Sequence, residues 1–346
     1  MEDTKNDLDV ILSEITSALT GESEHDAAYL MEQIEKYRSH DMSKEIIRAC
    51  GRLLYDLIPD EARDKIAQVT ENERLGVDAV LEEVRFNMYK GNFDKALTMI
   101  EGLIRRREKL NRCQDDTVSE YHSFKEPFEE ILYKYRYRPE KDIRQANVDY
   151  SGIYLLYGTV LTELKEYEKA KNALQTALRW NPVCAAAYFE LAEVFKITQN
   201  PEEFFRLTTE AFRIAFHSSD VARCYRNFGY YFVGKELYPA AAGCYYLSGL
   251  YEPDSKQAMS ELFYISTKAG NEVLDQAGED INKYSEQYGI PRMPDNDIIG
   301  LSYAHGRQCY EQAKYELAGY FWDITYDLTR DEEIGEKLDE IREMIR

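Results

Sequence analysis

The 346-residue chain has few backbone breakers, with nine prolines and 18 glycines. They fall between stretches whose apolar residues recur at spacings of three and four rather than two, which points to helices and away from a strand-rich fold. Long apolar runs are missing too. The longest, Val183 to Phe189, is far below the roughly 18 residues that a membrane span requires, so no membrane partner is expected. The start, Met1-Glu2-Asp3-Thr4-Lys5-Asn6-Asp7, is acidic and unlike a secretory signal, which places the chain in the cytoplasm. No two of the six cysteines, Cys50, Cys113, Cys184, Cys224, Cys244 and Cys309, form a Cys-x-x-Cys clip, and they read as small buried thiols.

Catalytic signatures are lacking as well. There is no Gly-rich phosphate loop, no His-Glu-x-x-His and no Gly-x-Ser-x-Gly. The histidines His25, His40, His122, His217 and His305 share no ligand spacing, so no metal, cofactor or catalytic residue is expected and the chain reads as no enzyme. The paired acids Glu129-Glu130 and Glu332-Glu333 read as solvated helix faces. Positive charge is scarce: 43 basic side chains against 64 acidic leave −21, which excludes a broadly basic nucleic-acid binder. Residues 1–76 carry 9 basic and 18 acidic groups, so DNA binding by the N-terminal part is excluded and RNA is disfavoured.

What is present is an apolar content of 44% with 44 aromatic residues, 28 of them tyrosine, too rich for a disordered chain. Self-similarity organises it. Over Ser151 to Cys184, Tyr154, Tyr157-Gly158, Leu161, Ala170, Leu174, Ala177 and Pro182 stand at set positions of a 34-residue window. Two antiparallel helices of about a dozen residues approach closely only where a small residue faces a large one. Gly158 and Ala170 are those points, and Asn181-Pro182 ends the second helix. This pattern resembles the tetratricopeptide (TPR) repeat family. A second copy has Tyr188, Leu191-Ala192, Phe195 and Ala211, with Phe204 and Thr208 weakening its second helix. A third has Tyr225, Phe228-Gly229, Phe232, Tyr238, Ala241, Tyr245 and Pro253, displaced by three extra residues near His217-Ser218-Ser219.

The resemblance implies an all-α fold, an α-α superhelix of the TPR type: a right-handed solenoid of antiparallel helix pairs with one irregular insertion. The expected organisation is a helical N-terminal cap at 1–76, off-pattern, with stripes at Leu8, Ile11, Leu12, Ile15 and at Ile46, Ile47, Leu53, Leu54. A TPR-like unit at 77–110 and an irregular insertion at 111–150 follow. TPR units are expected at 151–184, 185–221 and 222–255, then a degenerate helix pair at 256–295, a TPR-like unit at 296–330 and a C-terminal capping helix at 331–346. Arrays need such polar ends because a single hairpin leaves an apolar face uncovered.

Within the insertion, Tyr133, Tyr135 and Tyr137 alternate with Lys134, Arg136 and Arg138. That is strand period, and an isolated strand lacks a partner in a helical array, so an extended segment along a surface is expected. Residues 100–145 hold 11 basic and 10 acidic groups, locally neutral in an acidic chain.

TPR arrays offer a concave groove lined by the first helix of each pair, where a peptide docks. The resemblance assigns to it Phe189, Glu190 and Glu193, then Arg223, Arg226, Asn227 and Tyr230, then Tyr264, then Tyr303, Arg307 and Tyr310. These arginines and tyrosines suit an acidic or carboxylate-bearing ligand, or they pair with acids such as Glu190 and Glu193 inside the protein. The two-carboxylate clamp for chaperone tails is disfavoured, since Leu155, Thr159 and Glu190 stand at its positions and only Arg223 keeps the required charge. The leading expectation is a non-enzymatic protein-interaction scaffold. The alternatives are a peptide-responsive regulator that acts on another protein through residues 1–76, and self-regulation or self-association through the insertion.

Overall fold

The computed structural model describes residues 2–40, 42–57, 60–110 and 113–345, and they divide into two compact units: Met1–Ser123 with Pro139–Asp149, and Phe124–Arg138 with Tyr150–Arg346.

The first unit holds α1 (Glu2–Ser17), α2 (Ser23–Lys36), α3 (Ser43–Asp56), α4 (Asp60–Tyr89) and α5 (Phe93–Leu110), with strands β1 (Ser119–His122) and β2 (Asp142–Gln145). The predicted N-terminal stripes meet there: Leu8, Ile15, Leu30, Ile46 and Cys50 form a buried cluster, with Ile11, Leu12, Leu53, Leu54 and Val118 packed against it. The loop before β1 is tied to α3, because the Glu45 carboxylate accepts from the Thr117 hydroxyl at 2.8 Å. β1 and β2 pair in parallel, Ser119 opposite Asp142 through His122 opposite Gln145. This short ribbon departs from the wholly irregular insertion expected between 111 and 150; both strands find their partner inside the insertion itself.

Between the strands in sequence lies the larger departure. Residues Pro127–Tyr137 form α6, an α-helix belonging to the second unit, where an extended segment is expected. Pro127 takes the first helical turn, and the Glu129 carboxylate reaches back to the N–H groups of Glu126 (3.1 Å) and Lys125 (2.6 Å), closing a capping box. Proline pre-sets the first-turn dihedral and the reciprocal carboxylates satisfy otherwise orphaned donors.

The rest of the second unit is a run of antiparallel hairpins: α7 (Tyr150–Glu163) with α8 (Tyr167–Trp180), α9 (Ala185–Ile197) with α10 (Pro201–Phe212), α11 (Ser218–Gly234) with α12 (Tyr238–Tyr251). Then come α13 (Lys256–Ala269), α14 (Glu272–Tyr288), α15 (Asn296–Glu311), α16 (Tyr315–Thr329) and the closing α17 (Glu332–Ile345), which buries Ile334, Leu338 and Ile341.

Small-on-large contacts set the spacing within these hairpins. A Cβ placed on Gly158 would stand 2.5 Å from the Leu174 side chain, one on Gly229 2.7 Å from the Tyr245 ring, and one on Gly306 2.3 Å from the Trp322 ring. Only glycine lets these backbones approach so far. At the equivalent positions of α9–α10 stand Ala192 and Thr208, both fully buried. The larger residue on one helix is matched by a smaller one on the other. Phe204 and Thr208, expected to weaken α10, are therefore core residues. In α13 the equivalent place holds Phe263, and its ring is 74% exposed, which is the physical content of that pair's degeneracy.

The turns inside the hairpins are equally regular. Lys165, Gln199, Glu236 and Ala313 all take left-handed backbone, as does Gly91 between α4 and α5. At each, the next N–H donates to a carbonyl five residues back at 2.8 or 2.9 Å, as with Glu166 to Leu161 and Lys314 to Cys309. This closure caps the first helix and reverses the chain in the fewest residues.

Candidate functional site

Two surfaces of the second unit bear on function. The first is the open stripe of α9 and α11. Along α11, Val221, Ala222, Cys224, Tyr225, Phe228 and Phe232 are buried, whereas Arg223, Arg226 and Asn227 are half-buried and Tyr230 is 44% exposed. On α9, Glu190 and Glu193 are half-buried with Ile197 exposed, while Phe189 beneath them is buried. The 3.6-residue period therefore turns most of the predicted groove positions to one face.

Their charges are already matched. Arg223 Nη2 lies 3.3 Å from Glu190 Oε1, and its guanidinium stacks 4.5 Å above the Phe189 ring. Glu193 pairs with Lys196 at 3.1 Å, and the same ammonium sits 4.5 Å over the Tyr230 ring. Arg226 points elsewhere, reaching Glu252 at 2.5 Å and the buried Ser248 hydroxyl at 3.3 Å on α12 and its cap. Asn227 donates to the Thr208 hydroxyl at 3.4 Å. Arg223 and Arg226 thus each meet an acid of the protein itself.

The remaining predicted groove residues keep local company. Tyr264 is exposed on α13, with Lys268 5.7 Å from its ring centre. On α15, Arg307 meets Glu311 at 3.7 Å, Tyr310 packs on Trp322 at 5.4 Å, and Lys337 lies 5.8 Å over Tyr303.

The second surface is the seat of α6. Its buried stripe is Phe128, Glu129, Leu132 and Tyr133. Phe128 meets Phe216 edge-on at 5.2 Å and Phe321 at 6.3 Å. The Phe128 N–H donates to the Tyr320 hydroxyl at 3.4 Å, and that hydroxyl donates to Glu126 Oε2 at 3.0 Å. His217 Nε2 is 3.1 Å from the other Glu126 oxygen. At the far end Arg136 donates to the Arg213 carbonyl at 3.1 Å and pairs with Asp295 at 2.5 Å and Asp297 at 3.2 Å. Tyr137 stacks on Tyr133 at 5.0 Å and donates to the Pro182 carbonyl at 3.5 Å. Lys134 pairs with Glu130 at 2.5 Å, and Arg138 caps the helix in left-handed backbone.

Electrostatics follow from these contacts. The His217 hydrogen bond holds the Glu126 carboxyl below its ordinary range, and the same bond pushes His217 up. Burial raises Glu129 and Asp220. Glu129 is thus a buried capping carboxylate, unlike the solvated face expected of it, while its neighbour Glu130 does face solvent. Sequence reading did not single out Glu126, Phe128, Leu132, Phe216 or Tyr320. The signal that could have found the helix was Pro127 followed by Glu129 and the four-residue spacing of Phe128, Leu132 and Arg136.

Among the described residues no helix is long and apolar enough to cross a membrane, and no group of three His, Cys, Asp or Glu side chains could hold a metal ion. Cys50, Cys224, Cys244 and Cys309 are buried, and Cys113 and Cys184 are partly so.

The family model described as the tetratricopeptide repeat matches residues 151–184. No curated protein matches the chain. Among solved structures it is similar to a tetratricopeptide repeat protein from Parabacteroides merdae, at 13% identity over 97% of this chain and 98% of that one, with a TM-score of 0.38. It is similar to pilF of Pseudomonas aeruginosa at 18% identity over 56% and 88%, with a TM-score of 0.32. It is also similar to YrrB, a TPR protein with an unusual peptide-binding site, at 18% identity over 54% and 91%, with a TM-score of 0.31. The matched unit, a tetratricopeptide repeat, packs Gly158 on Leu174, and the same contact recurs at Gly229 on Tyr245 and at Gly306 on Trp322.

Proposed function

We propose that the chain is a non-enzymatic scaffold that holds a peptide segment of a protein partner against the open stripe of α9 and α11. One observation carries this reading: on helices that bury Phe189, Leu191, Val194, Tyr225 and Phe228 on their inner side, Glu190, Glu193, Arg223 and Tyr230 keep one face accessible. A surface whose charges are pre-paired selects by exchange. A ligand carboxylate gains by taking Arg223 from Glu190, an ion pair whose side chains are 39% and 27% exposed, and a ligand apolar group gains by covering Tyr230. An acidic or carboxylate-bearing segment with a neighbouring apolar residue is the class that uses both.

The test is site-specific photo-crosslinking from position 227, followed by identification of the captured peptide. The Arg223→Glu/Tyr230→Ala chain is expected to lose that crosslink while keeping its helical circular dichroism. An unchanged crosslink in the double variant sinks the assignment of this stripe.

A further inference from the structure

The seat of α6 uses none of the stripe residues, and its reading stands independently of the one above. The helix has 11 residues, shorter than the roughly 12–15 at which isolated helices become even marginal in water. Its helicity therefore depends on what it lies against. Those contacts come from widely separated parts of the sequence: Asn181-Pro182 after α8, Arg213 to His217 after α10, Asp295 and Asp297 at the start of α15, and Tyr320 and Phe321 on α16.

Two of these places are where the chain departs from its own period. The hairpin turns at Gln199 and Glu236 are 37 residues apart instead of the 34 between Lys165 and Gln199. The three added residues lie near His217, beside Phe216, and both side chains meet Glu126 or Phe128. Residues 289–295, the irregular link between α14 and α15, end on Asp295, which takes Arg136. The array's departures from its repeat fit the helix.

The contact is also polar in character. Alongside Phe128 and Leu132 it carries a buried carboxylate at Glu129, an ion pair at Arg136 and the Glu126, His217 and Tyr320 triad. Apolar cores avoid such groups, while interfaces that form and separate carry them as a matter of course. Moreover, the segments on both sides of α6 belong to the first unit. The backbone enters the second unit at Phe124, leaves after Arg138 and returns at Tyr150, so withdrawing α6 interrupts no hairpin.

We infer that α6 is a displaceable internal ligand, and that its seat is a binding site for an amphipathic helix of the same chemistry. Such a helix presents a carboxylate at its N-cap, an aromatic ring two residues on, an aliphatic side chain four beyond that and a guanidinium four further, as Glu126, Phe128, Leu132 and Arg136 do. This is helix-in-groove recognition with an occupant supplied in cis.

The probe is a fluorescent synthetic peptide of residues 124–138, titrated by anisotropy against the full-length chain and against its Phe128→Ala variant. The variant, whose own helix is weakened, is expected to bind at least ten-fold more tightly than wild type. The same peptide carrying Phe128→Ala is expected to bind neither chain. If Phe128→Ala abolishes the helical circular dichroism of the whole chain, the Glu126→Gln/Arg136→Gln chain, which keeps the apolar contacts, replaces it. A concentration-dependent dimer that the peptide dissociates also supports the seat, with α6 of a second copy as occupant. Equal affinity of wild type and a folded variant, or no binding by any folded variant, overturns the inference.

Discussion

The contact of α11 with α12 and the contact of α6 with its seat both bury aromatic rings, yet they are built on opposite principles. In the first, Gly229 is stripped to hydrogen so that the Tyr245 ring can press against backbone, and shape does the holding. In the second, the Phe128 ring meets Phe216 and Phe321 while Glu126, two residues before it, is held by the His217 imidazole and the Tyr320 phenol, and directional polar bonds share the task. Dry jigsaw contacts suit parts that never separate, and mixed contacts suit parts that do. The same unit thus contains a permanent joint and one made to open.

The most direct way to break this contrast is to delete a ring on the polar side. Removing a buried phenylalanine from a core costs about 3–5 kcal/mol, and Phe128 is fully buried. If α6 opens separately, the loss is local: in hydrogen exchange, amides of α6 in Phe128→Ala lose protection while those of α11 and α12 keep theirs. Equal loss in both places would make α6 an integral core helix.

Adding a methyl on the dry side should act in the other way. Gly306→Ala puts a Cβ within van der Waals overlap of Trp322, and overpacking of this kind costs about 1–3 kcal/mol. The urea midpoint of the second unit is expected to fall with it. Gly234→Ala, where an added Cβ meets nothing within 4 Å, is the control and should be neutral or slightly stabilising. A sharper version uses the compensated pair. Thr208→Leu should destabilise, and Ala192→Gly in the same chain should recover much of the loss, a coupling that a double-mutant cycle reads directly.

This contrast also marks what sequence reading can reach. The dry joints are legible because they repeat: Gly158 and Leu174, Gly229 and Tyr245, Gly306 and Trp322 stand sixteen residues apart each time, and one packing cause writes one spacing. The seat occurs once. Its residues are Glu126 and Phe128 from one place, Phe216 and His217 from another, Tyr320 from a third, and no spacing connects them. Alternation of Tyr133 to Arg138 imitates a strand, since any run of alternating types does, and it outweighed Pro127, Glu129 and the Phe128–Leu132–Arg136 step. The internal pairing of Arg223 and Arg226 could not be decided either, because Glu190 and Glu252 are brought to them by different neighbouring helices.

A smaller effect distinguishes the two joints by pH. His217 faces Glu126 from α6, Asp220 from its own helix and Asp327 from α16, while Tyr320 of α16 holds the other oxygen of Glu126. Its folded pKa is raised, so its contribution is full below the ordinary histidine value of about 6.5 and disappears as pH rises through the raised value. Glu126 is lowered, so its contribution is present above the ordinary carboxylate range and disappears as pH falls through the lowered value. The seat is therefore tightest between those limits. Partly exposed ion pairs are worth about 0.2–1 kcal/mol, so opening of α6 should increase about 1.4- to five-fold between pH 6 and pH 9 after correction for intrinsic exchange. His217→Gln should remove this dependence, and protection within α11–α12 should not follow it.

The smallest effect belongs to the hairpin turns and should leave α6 untouched. Glu236 is held in left-handed backbone at φ 59°, a conformation that a side chain makes unfavourable by roughly 1 kcal/mol. Gly91 already occupies the same position in its own hairpin, at φ 73°. Glu236→Gly removes the Cβ conflict but adds freedom to the unfolded chain, so a net gain of about 0.5 kcal/mol is expected in the urea midpoint. Gly91→Glu should lose a comparable amount. If Glu236→Gly instead altered the exchange of α6 or the affinity for the 124–138 peptide, the permanent joints and the seat would be one cooperative structure, and the distinction drawn between them would fail.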